Sequence, residues 1–139
     1  MRTILSIFNV FWTHRVPSSS KSLRNCVRAR KGHWIWFIFP QIKGLGYSPA
    51  ANKFAISCRV EAEAYLKHPI LGPRLRDCTT LVIQIESRSI EQIFGYPDNL
   101  KFRSSMTLFA HATVDNQLFE SALRKYFDGK PDPLTLERL

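Results

Sequence analysis

The sequence predicts an all-α fold, a compact single domain of several helices packed around one buried aromatic segment. Three observations predict it. Residues Trp34 to Pro40 offer water no charged side chain and include two tryptophans, two phenylalanines and two isoleucines, the composition of a buried run. From Ser48 onward apolar residues recur three to four apart, the period of a helix with one buried face. No second segment offers a partner strand. The aromatic run itself favours strand by propensity, but without a partner it is expected as a helix or an irregular buried segment.

The helices follow in order. Ser48-Pro49 reads as an N-cap with proline at the first helical position, ahead of Ala50, Ala51, Phe54 and Ala55. A second helix, Val60 to Lys67, ends before His68-Pro69, because the residue ahead of a proline avoids helical dihedrals. A third starts at Pro73 and carries the stripe Leu75, Cys78, Leu81, Val82 and Ile85. Ser89 with Gln92 forms a capping box for a short helix that Gly95 closes after Phe94. Asp98 or Asn99 caps the next, Leu100 to Ala112, and a sixth runs from Asn116 to Phe127 and stops at Gly129. Pro131-Asp132-Pro133 sets up a last short helix with Leu134, Leu136 and Leu139.

At 139 residues the chain suits one core that buries roughly two thirds of the unfolded surface. No window approaches the ~18 apolar residues of a membrane-spanning helix. The net charge of +9 is unevenly placed: residues 1–31 hold seven Lys and Arg and no acid, and residues 32–139 hold thirteen against eleven acids. The body is nearly neutral, which argues against a nucleic-acid surface. Two parts are therefore expected, an atypical basic segment 1–31 and a helical domain 32–139. The basic segment is acid-free like an organelle transit peptide and has no signal-peptide cleavage pattern. Cys26, Cys58 and Cys78 stand far apart with no ligand spacing, so neither a disulfide framework nor a metal site is expected, and a reducing, cytoplasmic compartment is.

Four stretches, HWIWFIFPQIKGLGYSP from His33, HPILGPRL from His68, IFGYPDNLKFRSSMTLF from Ile93 and FDGKPDPLTLERL from Phe127, resemble the uncharacterised bacterial family DUF1810. The resemblance covers roughly residues 31 to 139, in order. It implies a mainly α-helical domain of intracellular bacterial proteins and no established activity. Residues 1–31 depart from the family's acidic and apolar opening helix. An upstream frame disruption, or disorder, would account for the departure.

Two groups of residues could carry function. Lys101, Arg103, Ser104 and Ser105 place two cations and two hydroxyls near a helix start, where a planar guanidinium and first-turn donors suit phosphate or carboxylate. The structural alternative is that Arg103 pairs with a buried acid and the serines satisfy backbone. His33, Trp34, Trp36 and Gln41 combine aromatic rings with an imidazole and an amide, which suits stacking on a base or sugar. Their alternative is a plain core. His111 has no second ligand one helical turn away, and Gly44-Leu45-Gly46 lacks a dinucleotide fingerprint. The leading expectation is a small anionic ligand, a nucleotide or phosphorylated metabolite, held between the HWIWF segment and the KFRSS helix. A structural or interaction module is the second, and nucleic-acid binding through residues 1–31 the third. The sequence leaves open cofactor, oligomeric state and whether chemistry occurs.

Overall fold

The computed structural model describes residues 39–46, 49 and 55–139. Among them are six helices: α1 Arg59–Lys67, α2 Leu71–Gln84, α3 Ile90–Phe94, α4 Asp98–Ala110, α5 Gln117–Phe127 and α6 Pro133–Glu137. The only extended pairing among the described residues is one isolated parallel bridge, Ile42 with Ile56. The fold is all-α, as the periodicity predicts. Most of the helix expected after Ser48 and most of the aromatic run lie outside the described residues. The end of that run, Phe39 to Gln41, is buried and non-helical.

Helix ends follow local chemistry, and two helices start two residues ahead of the expected position. α2 begins at Leu71, ahead of Pro73. The His68 ring caps it, its Nδ1 accepting from the amides of Ile70 at 3.1 Å and Leu71 at 3.2 Å. Pro73 then falls in the first turn, where a missing N–H costs nothing. α4 begins at Asp98, so neither Asp98 nor Asn99 caps it. The Asp98 carboxylate lies 3.1 Å from the Lys101 ammonium, and the Asn99 amide donates to Glu91 at 3.3 Å. The capping box of α3 forms as expected, with Gln92 N–H to Ser89 Oγ at 3.2 Å and Ser89 N–H to Gln92 Oε1 at 2.8 Å. α5 ends as Asp128 turns left-handed at φ 54°, and the Gly129 amide closes back on the Leu123 carbonyl at 3.0 Å.

α4 is the centre of the domain. Seven consecutive residues, Ser104 to Ala110, are buried, nearly two full turns with no face left for water. α1, α3, α5 and α6 all pack on it. Aromatic edges make many of these contacts: Phe102 with Phe39 at 4.9 Å and Phe94 at 5.2 Å, and Phe109 with Tyr65 at 5.4 Å and Phe119 at 5.9 Å. Each such ring buries enough apolar area to contribute about 1.5–3 kcal/mol.

α2 is fixed at both ends. Its last carbonyls meet donors from α5: Lys125 Nζ reaches the carbonyls of Ile83 and Ile85, and the Tyr126 hydroxyl donates to Val82 at 2.5 Å. A cation at a helix C-terminus also opposes the negative end of the dipole. At the other end Gly72 crosses the last turn of α1, and a Cβ there would collide with the Leu66 carbonyl oxygen. Gly72→Ala gains up to ~1 kcal/mol in helix propensity but must separate the two backbones, so it should destabilise the domain by a net ~2 kcal/mol or more in urea unfolding.

Tyr65 is fully buried, and its hydroxyl has no hydrogen-bond partner among the described residues. Burial, reinforced by nearby Cys78, holds its phenol far above the ordinary value of 10.0. Burial also raises Tyr126. A raised native pKa favours the neutral phenol, so this stability is complete below ~10 and is lost as pH rises further. Tyr65→Phe should leave stability at pH 7 unchanged or higher by up to ~1 kcal/mol, and should move the alkaline unfolding midpoint upward in a pH-dependent melt.

Candidate functional site

Of the expected site residues, His33, Trp34 and Trp36 lie outside the described residues. Gln41 is buried, and its carbonyl accepts from the Ile56 amide at 2.8 Å beside the isolated bridge. Lys101, Arg103, Ser104 and Ser105 lie within α4, beginning in the turn after its start. The amides of that first turn are used internally: Asn99 donates to Gly95 at 2.9 Å, and Leu100 donates to Pro97 at 3.0 Å. The Asn99 and Leu100 amides are therefore not donors for the KFRSS run. Ser105 is fully buried, and its hydroxyl has no partner among the described residues.

Arg103 is held differently from the pairing with a buried acid that the structural alternative supposes. Its Nε donates to the Lys130 carbonyl at 3.0 Å and its Nη2 to the Pro131 carbonyl at 2.9 Å. Its guanidinium carbon sits 5.8 Å from the centroid of the Phe127 ring, a cation–π distance. The side-on edge of the fork is thus filled by two backbone oxygens and one face by an aromatic ring. The end-on edge, formed by Nη1 and the second N–H of Nη2, has no hydrogen bond among the described residues. No carboxylate among them comes within ion-pair distance either. Guanidinium edges of this kind take carboxylate or phosphate in bidentate fashion.

The oxygens that hold Arg103 are themselves held by a cluster centred on Asp132. One carboxylate oxygen, Oδ2, accepts from Ser104 Oγ at 2.9 Å, Thr135 Oγ1 at 2.6 Å and Thr135 N–H at 3.2 Å. The Asp132 amide donates to Thr107 Oγ1 at 2.8 Å. The one Ser104 hydroxyl proton is shared between that carboxylate and the Leu100 carbonyl at 3.1 Å, and Thr107 Oγ1 donates to the Arg103 carbonyl at 2.9 Å, the usual way a hydroxyl is satisfied inside a helix. Together they bind residues 130–135 along α4.

Sequence reasoning passed over Thr107 and Asp132 as site residues. Asp132 did carry a signal, an aspartate before proline with a threonine three residues on, which is an N-cap pattern. Nothing in the sequence ties it to Arg103 across 29 positions. Phe39 gives the other link to the aromatic segment: it packs on Phe102, the neighbour of Arg103, and Phe102 lies 6.4 Å from Phe127. Among the described residues no group of three or more His, Cys, Asp or Glu side chains is placed to hold a metal ion, and no helix is long and apolar enough to cross a membrane.

Fold and site define a small helical domain with a buried central helix and a fixed arginine. The chain belongs to the DUF1810 family, described as a protein of unknown function, whose model matches residues 9–139. That match begins inside the basic N-terminal segment. The chain is similar to a solved structure, the conserved hypothetical protein Rv1873 from Mycobacterium tuberculosis, at 49% identity with a TM-score of 0.84 over 97% of each chain. No curated protein matches the sequence.

Two charged hydrogen bonds and a ring face make Arg103 a structural residue whatever else it does. Arg103→Ala should cost about 2–4 kcal/mol in urea unfolding, and Arg103→Lys should recover less than half, because an ammonium cannot reach both carbonyls from the same position.

Proposed function

We propose that this domain binds a small anionic ligand, a nucleotide or phosphorylated metabolite, with Arg103 as the anchor for its phosphate or carboxylate. One observation carries the reading: a guanidinium fixed by two carbonyls and an aromatic ring, with its end-on edge open and no carboxylate neutralising it among the described residues. A charge held in place at the cost of side-chain entropy, and left without a counterion, suits a ligand that brings one. Trp34, Trp36, His33 and Gln41 supply the chemistry for a base or sugar, and the packing of Phe39 on Phe102 supports putting the end of their segment beside α4.

A second reading, a structural or interaction module without a small ligand, is favoured by the use of Ser104 and Lys101 in internal contacts. Thermal melts against nucleotides, sugar phosphates and pyrophosphate separate the two. A ligand at ~100 times its dissociation constant adds about 2.7 kcal/mol, so one class should raise the midpoint by several degrees. Arg103→Lys should weaken that response beyond what its own lower stability explains. A melt insensitive to the whole panel at millimolar concentration would leave the structural reading standing.

A further inference from the structure

Resting on that reading, we infer that Asp132 is a positioning residue for Arg103: it shapes the anion site through the backbone, without touching the ligand. Arg103 is aimed by the carbonyls of Lys130 and Pro131, at 3.0 and 2.9 Å. Those two residues directly precede Asp132; the Lys130 amide bond to the Phe127 carbonyl at 2.9 Å holds the segment on its α5 side, and the Asp132 cluster holds it on its α4 side. Asp132 is tied to α4 at two points one helical turn apart, Ser104 through its carboxylate and Thr107 through its amide. The same helix turn carries Arg103. Guanidinium, carbonyls, carboxylate and hydroxyls thus form a closed ring of contacts that starts and ends on α4, and such a ring leaves the arginine one orientation. An arginine already oriented loses less freedom when an anion arrives.

The acceptor geometry makes the role separable from charge. All three donors converge on the single oxygen Oδ2, so an asparagine can accept them with its one carbonyl oxygen. Asp132→Asn should therefore preserve the arrangement, and Asp132→Ala should not. Thr107→Val removes the second tie, together with the Thr107 bond to the Arg103 carbonyl, and keeps the Asp132 carboxylate cluster, so it serves if Asp132→Ala fails to fold.

The test follows the Arg103 side chain directly, in the full chain, by its Nε–H signal in proton–nitrogen correlation spectra. In the parent protein that proton should be shifted from the free-arginine envelope and slow to exchange. In Asp132→Ala, or Thr107→Val, it should fall into the envelope while backbone amides stay dispersed, and Asp132→Asn should restore it. Calorimetric titration with pyrophosphate supplies the second arm. The alanine variant should lose affinity on the order of tenfold, and the same change in an Arg103→Lys background should lose almost none. An Arg103 Nε–H unchanged in both disrupting variants would overturn the positioning role, as would equal pyrophosphate affinity for parent and Asp132→Ala. If pyrophosphate binds neither protein while the Nε–H signal collapses as described, the positioning of Arg103 stands and the anion-binding reading falls.

Discussion

The domain depends on one constraint: a central helix whose second half has no outward face must still carry hydroxyls. α4 is buried continuously from Ser104 to Ala110, and three of those seven residues, Ser104, Ser105 and Thr107, are polar. A buried hydroxyl without a partner costs about 1–3 kcal/mol. Two of the three escape that cost by bonding the helix's own carbonyls and then the C-terminal segment, so that polar satisfaction and tertiary docking become one event. The last ten residues, with only α6 and a turn, leave their three leucines exposed and bury little apolar surface. They adhere through hydrogen bonds to α4, with Ser104 Oγ donating to the Asp132 carboxylate and Thr107 Oγ1 accepting from the Asp132 amide.

That arrangement explains why the arginine sits where it does. A guanidinium among aromatic side chains is expensive unless its N–H groups find acceptors. Backbone carbonyls are the cheapest acceptors to bring to it, since they carry no charge to desolvate. The Phe127 face and the carbonyls of Lys130 and Pro131 come from adjoining positions, because Asp128 and Gly129, at φ 54° and 74°, reverse the chain between them. The turn that ends α5 thus delivers a ring to one face of the guanidinium and oxygens to one edge.

How much of this was legible depends on the range of each interaction. Local signals survived intact: the Ser89–Gln92 capping box, the stop ahead of His68-Pro69, and the helix period through Leu75, Cys78 and Val82, all three of which are buried. Errors arose where a side chain acted one turn further off than expected. His68 reaches forward to cap α2, so the helix starts before its proline, and Asp98 turns to Lys101 instead of capping α4. The candidate site was legible as residue types and illegible as partners. KFRSS announces cations and hydroxyls, but its acceptors sit 27 to 28 residues downstream, beyond the reach of any periodicity. The acid that the structural alternative set opposite Arg103 was the wrong chemical class for the same reason: backbone carbonyls have no letter in a sequence.

The identity of those acceptors decides how the arginine can be used. Had Arg103 faced a carboxylate, its charge would be cancelled and a second anion would have to compete with an internal one. Carbonyls orient the fork and withdraw little of its charge, and they occupy only the side-on edge. What remains is a cation with fixed direction, an open pair of parallel N–H groups and a ring across one face. A surface arginine of equal exposure would have to order its side chain before binding, at a cost of up to ~2 kcal/mol in rotamer freedom. Here folding of the C-terminal segment has already met that cost.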